Sequence, residues 1–272
     1  MFPVLFKVGP ITIYTYGVFV FFGVITSYFV CKNQVYKEGI SRKIFSHIFF
    51  WALVWGFSGA RIVYILIEWK WFLNNPFSII LSRSGFVFYG GVVSGILALF
   101  VLAKKYKIKP LKAADIGALS IPLGHALGRI GCFCYGCCYG KPTDSNLGIL
   151  FPPDSPAGFL GVKVIPTQLI SALFLILIFF LLLIFKKYKR FDGQILLSYG
   201  IFYGIFRFII EFYRGDPRGV FFFLYTSQFA ALVSIIVSIF LFFRWWPIRQ
   251  AVRQAHHPFK PSRAKSRGSG PS

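Results

Sequence analysis

Pro166-Thr167-Gln168-Leu169-Ile170-Ser171-Ala172-Leu173-Phe174-Leu175-Ile176-Leu177-Ile178-Phe179-Phe180-Leu181-Leu182-Leu183-Ile184-Phe185 carries no charge and is followed at once by Lys186-Lys187. A helix of this length rises about 30 Å, the thickness of a bilayer's hydrocarbon core. The lysine pair marks where the chain meets water again. Working outward, six further stretches have the same character: 11–31, 44–67, 85–103, 113–129, 193–213 and 225–243. The fourth in chain order, 113–129, contains Pro122, Gly124, His125 and Gly128, so a broken helix is expected there. Such breakers persist in a membrane only where protein or a watery cavity satisfies the freed backbone.

Composition agrees. Of 272 residues 56% are hydrophobic and 14% charged, and the mean hydropathy is +0.67. A soluble domain carries about 25% charged residues, too many to be compatible with this chain. The 35 phenylalanines and 14 tyrosines need lipid as their solvent. Disordered, collagenous and conventional soluble classes are excluded. The net charge of +22 suggests nucleic acid at first sight, but the basic residues lie between apolar runs. There they set topology and touch anionic membrane lipids, so no nucleic-acid partner is expected.

The Lys and Arg residues also give the orientation. Alternate connections and the tail hold 20 of them, among them Lys32, Lys105, Lys187 and Arg249, against 7 on the opposite side, among them Lys7, Lys70, Lys141 and Arg214. The positive-inside rule then places the N-terminus outside and the C-terminus in the cytoplasm. Residues 1–10 lack the basic start of a cleavable signal peptide. The expected architecture is an all-α membrane protein of seven transmembrane helices. One polytopic domain covers 1–243, with a small extracytoplasmic cap at about 131–165. A basic tail covers 244–272, disordered from 256.

Three arginines, Arg61, Arg129 and Arg207, lie within or at the edges of spans. Each costs at least about 2.5 kcal/mol to insert at bilayer depth, so each needs a reason. For Arg61 the reasons are snorkelling or a lipid headgroup contact. For Arg207 an ion pair with Glu211, at i, i+4, competes with a role in binding phosphate, whose oxygens match a guanidinium fork. His125 lies one turn before Arg129 on the same face, either as a satisfied core group or as a general base. Tyr89 and Tyr16, each beside glycines, divide between interfacial anchoring and function. The cluster Cys132-Phe133-Cys134-Tyr135-Gly136-Cys137-Cys138 has three readings, in order of preference. They are packing or a local disulfide, a Cys134–Cys137 redox pair, and a metal site lacking the two separated knuckles of a zinc ribbon.

Six pieces occur in one order: Tyr16-Gly17; Gly59-Ala60-Arg61; Phe88-Tyr89-Gly90-Gly91; Gly128-Arg129-Ile130-Gly131-Cys132-Phe133; Pro166-Thr167-Gln168-Leu169; and Phe206-Arg207-Phe208-Ile209-Ile210-Glu211-Phe212-Tyr213-Arg214. In this order the chain resembles the prolipoprotein diacylglyceryl transferase family of bacterial inner-membrane enzymes, over about 9–243. The resemblance implies transfer of a diacylglyceryl group from phosphatidylglycerol to the acceptor cysteine of a prolipoprotein signal peptide, with glycerol 1-phosphate released and no metal or organic cofactor. It places Arg129 on the arginine that contacts the phosphatidylglycerol phosphate, Arg207 on a second essential arginine and Tyr203 on an important tyrosine. Tyr16, Gly140 and Glu211 join the substrate-binding set. The chain departs from the family pattern where Cys132 and Tyr135 replace asparagines, Cys137 a glutamate and Tyr89 a histidine. His125 is expected to supply the base in that histidine's place, with Tyr89 as the competing candidate. The alternative readings are a phospholipid-binding or transporting protein that has lost its acid–base residues, and a membrane thiol oxidoreductase.

Overall fold

The structure is a computed structural model that describes residues 3–9, 11–81, 85, 87–217, 219–221 and 223–255. The chain opens with a hairpin, β1 (Val4–Val8) and β2 (Ile11–Tyr14), and continues through α1 (Thr15–Lys37) and α2 (Arg42–Ile67). Two short helices follow, α3 (Trp69–Asn74) and α4 (Pro76–Leu81), then α5 (Phe88–Lys105) and α6 (Pro110–Tyr135). A long connection containing one 3-10 turn (Gly158–Leu160) leads to α7 (Thr167–Lys187) and α8 (Gln194–Glu211). A two-residue hairpin, β3 (Val220–Phe221) and β4 (Leu224–Tyr225), precedes α9 (Thr226–Ala255). Six of the described helices are long and apolar enough to cross a membrane: α1, α2, α6, α7, α8 and α9 over Thr226–Trp245. The protein is a multi-pass, mostly helical membrane protein, and the 85–103 segment forms the 18-residue α5.

The side chains of α7 show how lipid replaces water as solvent. Ser171, Leu175, Ile178 and Leu182 are buried at helical spacing, whereas Leu173, Leu177, Phe180 and Ile184 on the opposite side are half exposed or more. An all-round apolar helix can leave that second face bare only in hydrocarbon. Leu119 of α6, Leu182 of α7 and Phe206 of α8 share one core cluster. α1 packs along α6, and α2 along α5. Both crossings depend on glycine: a Cβ on Gly23 would lie 2.7 Å from the Gly124 carbonyl oxygen, and one on Gly59 only 2.9 Å from that of Gly90.

Four expectations need correction. Residues 11–14 belong to a hairpin rather than to the first span, because Gly9, at φ +56°, turns the alternating strand Val4–Val8 back on Ile11–Tyr14. Segment 113–129 is not broken: α6 runs unbroken through Pro122. Ser27 and Cys31 of α1 donate to the Ser120 and Ile116 carbonyl oxygens, at 3.4 and 3.5 Å, so α1 braces α6 in the turns leading up to the proline. The connection expected from residue 131 begins only at Gly136, whose φ of +81° ends α6. Finally, the tail expected from 244 is helical to Ala255, while 256–272, the part expected to be disordered, lies outside the described residues.

Asp115 fixes the height of α8 against α6. Its carboxylate accepts from the backbone N–H groups of Gly193 and Leu196 at 2.8 and 2.9 Å, and Lys189 pairs with it at 2.9 Å. The negative charge sits at the N-terminus of α8, where the helix dipole and unsatisfied donors favour it. At the other ends of α6 and α8 stand the residues discussed next.

Candidate functional site

Arg129 lies near the C-terminal end of α6, and its Nε donates to His125 Nε2, 3.3 Å away and one turn below. The imidazole in turn lies tilted against Tyr203 of α8, centroid to centroid 5.4 Å at 57°, and Tyr203 stacks on Tyr199. One turn above Tyr203, Arg207 pairs with Glu211 at 2.8 Å. The i, i+4 ion pair expected from sequence is therefore present, with Glu211 almost wholly buried. Arg214 follows one further turn along and forks onto Asp216, with Nε and Nη2 each 2.9 Å from a carboxylate oxygen. Arg129, Arg207 and Arg214 lie within Coulombic range of one another. Glu211 and Asp216 engage two of them. Arg129 has no carboxylate partner among the described residues.

Three guanidiniums, Arg214 buried and Arg129 and Arg207 partly so, beside two carboxylates leave a cationic hollow. Each charge is at least partly desolvated, so the local field is stronger than on a wet surface. Arg214 remains firmly charged: burial works against it, but Asp216 and Cys138 hold its pKa above the ordinary guanidinium value. Such a hollow suits a phosphate, which accepts several charge-assisted hydrogen bonds at once.

The roof of this hollow is the 136–166 connection. It folds around Tyr139, Phe151, Ala157 and Val164, with Phe133 edge-on to Phe151. Short bridges join Val164 to Pro142 and Ile149, and Gly140 to Arg214. Gly140 donates its N–H to Ile165, and a Cβ there would meet the Ile165 carbonyl oxygen at 2.6 Å. Its contribution is close backbone approach, which brings the roof down onto Arg214. Thr167 Oγ1 donates to the Cys138 carbonyl and Gln168 Nε2 to that of Cys137, at 2.9 and 2.8 Å. The Pro166-Thr167-Gln168 motif thus anchors the roof to the start of α7.

All five cysteines are free thiols. The sulfurs of Cys132, Cys137 and Cys138 lie within 4.8 Å of one another. Cys134 is not part of that group, so the Cys134–Cys137 pairing expected from spacing gives way to a threefold cluster. The reason is local geometry. Gly136 reverses the chain at the helix end, and the Cys137 N–H returns to the Cys132 carbonyl at 3.2 Å. Hydrogen bonds from the Cys132 and Cys137 thiols, with Arg214 and Arg129 close by, hold Cys138 below the usual thiol range despite its burial.

Tyr16 of α1 lies against Gly131 and within Coulombic range of Arg129 and the thiol cluster. It also lines an apolar cavity of about 640 Å³ between α1, α2, α5 and α6, with Phe57, Leu99 and Ile121 along its walls. Tyr89, half exposed in the first turn of α5, stands on the α2–α5 pair rather than on the helices that carry His125 and Arg129. Arg61 is held by protein: it donates to the Gly85 carbonyl at 3.0 Å and to that of Ile79. Neither snorkelling nor a headgroup is needed to explain it. Arg214 carries no local sign of burial in the sequence, since it lies just beyond α8 in a connection that also holds Asp216.

Residues 3–244 match the family model described as prolipoprotein diacylglyceryl transferase. A phosphatidylglycerol–prolipoprotein diacylglyceryl transferase of Clostridium tetani is 37% identical over 243 residues, covering 88% of this chain and 96% of that protein. A second enzyme of that name from Clostridium perfringens is 34% identical, and one from Finegoldia magna 37%, each covering 88% of this chain and 93% of the relative. The likeness spans the whole membrane body, from the opening hairpin to the last span, and the chain belongs to the prolipoprotein diacylglyceryl transferase family.

Proposed function

We propose that this membrane enzyme transfers the diacylglyceryl group of phosphatidylglycerol to the acceptor cysteine of a prolipoprotein signal peptide. The observation that carries the reading is Arg129: a partly buried guanidinium without a carboxylate partner among the described residues, beside Arg207 and Arg214 and within Coulombic range of Tyr16, which lines the apolar cavity. The phosphate sits on Arg129 and Arg207, and the acyl chains enter the cavity between α1, α2, α5 and α6, with Tyr16 where the two meet. The acceptor thiolate attacks the glyceryl C3 carbon, the C3–O bond to phosphate breaks, and glycerol 1-phosphate leaves. Negative charge grows on the leaving group, so fixed cationic donors aimed at it lower the barrier. His125 has its Nε2 lone pair directed at Arg129, and the geometry favours it as the group that aims that arginine, with Tyr203 tilted against it.

In this reading α5 is the seventh span, residues 1–243 form the transferase domain in the bacterial inner membrane, and the 136–166 roof faces the outside. The 20-to-7 distribution of Lys and Arg supports that orientation. A secreted acceptor then meets the thiol cluster and the arginines on its own side.

The test is transfer of labelled diacylglycerol from phosphatidylglycerol in detergent to a synthetic signal peptide bearing the acceptor cysteine. The label should appear on the peptide with release of glycerol 1-phosphate, and a cysteine-to-serine peptide should receive none. Phospholipid binding without transfer would instead establish the lipid-binding alternative. Restored lipoprotein maturation in a strain depleted of its own transferase checks the same reading in cells.

A further inference from the structure

We propose that Cys132, Cys137 and Cys138 bind one Zn²⁺ ion through their thiolates and leave its fourth position to the acceptor thiol. The inference rests on the transferase reading and names how that thiol is activated. It replaces the expectation that no metal is needed.

Zinc takes thiolates at about 2.3 Å in a tetrahedron, which sets neighbouring sulfurs roughly 3.8 Å apart. The three sulfurs already lie within 4.8 Å of one another, so the ion would draw them together by roughly 1 Å at most. Three protein ligands with one open position is the pattern of catalytic zinc sites, whereas structural sites are closed by four. The positions are also held from outside. Cys132 is fixed in the last turn of α6, while Thr167 and Gln168 grip the carbonyls of Cys138 and Cys137. Cys138 has φ +62°, a left-handed backbone that costs an L-residue roughly 1 kcal/mol, and this conformation is retained at the cluster. Gln168 is fully buried, and its Oε1 has no hydrogen-bond partner among the described residues, leaving an acceptor beside the cluster for a metal-bound water. Three thiolates on Zn²⁺ carry a net single negative charge. Arg214 and Arg129, both within Coulombic range of Cys138, stand ready to balance it.

A zinc ion held by the trio does by coordination what a base does by proton transfer. The acceptor thiol displaces a zinc-bound water, its proton leaves with that water as hydronium, and a zinc thiolate remains. The sulfur's electron pair forms the bond to C3, and the C3–O pair leaves with glycerol 1-phosphate toward the arginines. The neutral thioether is a weaker ligand, so water replaces it and the ion's charge is unchanged throughout.

The full-length protein in detergent, stripped by a chelator and reloaded, should take up one Zn²⁺ per chain. Zinc should shield three of the five thiols from alkylation, a readout that needs no variant. Co²⁺ in its place should give a thiolate-to-cobalt absorption band that Cys137→Ser and Cys138→Ser lose and Cys134→Ser keeps. Removing the metal should lower transfer at least about 100-fold, the scale of a lost general base, and Zn²⁺ should restore it. Arg129→Ala should lose transfer yet keep the cobalt band, which separates failure of the phosphate site from failure of the metal site. A disulfide within the trio in the purified protein, no cobalt band, a band surviving Cys137→Ser, or full transfer in metal-free protein would each overturn the proposal. Zinc bound by the trio in a protein with no transfer under any condition would keep the ligand assignment and remove the transferase reading beneath it.

Discussion

Arg61 and Arg129 are both partly buried, yet their surroundings differ in kind. Arg61, on the α2–α5 side, donates to the carbonyl oxygens of Gly85 and Ile79 and lies 5.7 Å over the Tyr64 ring. Its donors join α2 to the segment before α5, so its charge is engaged in holding backbone. Arg129, on the α6–α8 side, is touched by a neutral acceptor, His125, and faces two more guanidiniums. That arrangement raises the electrostatic energy of the empty site and stores it for an anion. Residue type and depth are alike in the two regions, and the partners decide which arginine is structural and which is functional.

The comparison breaks first at Arg129. Arg129→Ala should lower kcat/KM for transfer about 1000-fold, the upper scale for losing one preorganised donor to a developing anion. Arg129→Lys should recover little of it, because an ammonium cannot fork onto two phosphate oxygens. Protein level and thermal melting in detergent should stay near wild type, since no ion pair is broken. Transfer within tenfold of wild type in the alanine variant would remove Arg129 from the phosphate site.

The next effect concerns the frame that brings the two helices together. Asp115→Ala removes a buried carboxylate from Lys189 and from two backbone donors at the start of α8, which should cost about 3 kcal/mol. Burial pulls the Lys189 pKa down, but Asp115 more than offsets it and leaves the value raised. The sign follows: a raised lysine pKa contributes stability at neutral pH that is lost as pH rises through the folded value. Wild type should therefore soften at strongly alkaline pH, and Asp115→Ala should show less of that dependence. Melting curves across pH in one detergent check both statements.

A smaller effect separates aiming from proton transfer at His125. With Nε2 accepting from Arg129, His125→Gln keeps an acceptor on the same face, and transfer should fall only about tenfold with an unchanged pH profile. A lost acidic limb in that profile would restore His125 as the base expected from sequence.

What could be read from the sequence follows from the range of the forces involved. Hydropathy and charge act along the chain, so the spans and arginines were visible in Pro166-Thr167-Gln168 through Phe185 and in the motifs of α6 and α8. The hairpin before α1 was hidden because Val4–Tyr14 is apolar enough to extend a span, and only the reversal at Gly9 separates them. Pro122 suggests a break because the packing that braces α6 beside it, with Ser27 and Cys31 donating to its carbonyls, comes from another helix. The thiol trio was invisible for a related reason. Spacing favours Cys134 with Cys137, but the turn at Gly136 swings Cys137 and Cys138 back to Cys132. Arg214 was counted as a loop charge because nothing local tells of the Gly140 backbone packed over it.

The smallest expected effect tests the other half of the comparison. Arg61→Lys keeps the charge but loses the planar fork that reaches two carbonyls at once, so one of Gly85 and Ile79 should lose its donor. A buried carbonyl left short of one hydrogen bond costs about 1 kcal/mol, which would lower the melting temperature by a few degrees. Activity should stay within about twofold, because the donors of Arg61 end on backbone, and no phosphate need lie near them. Measuring transfer and melting on the same preparation decides the matter. If Arg61→Lys melted like wild type but lost transfer, a guanidinium bonded to carbonyls would also be serving the substrate, and partner chemistry would no longer distinguish the two arginines. If it lost a few degrees and kept its rate, the carbonyl-held arginine would be a clamp between helices and nothing more.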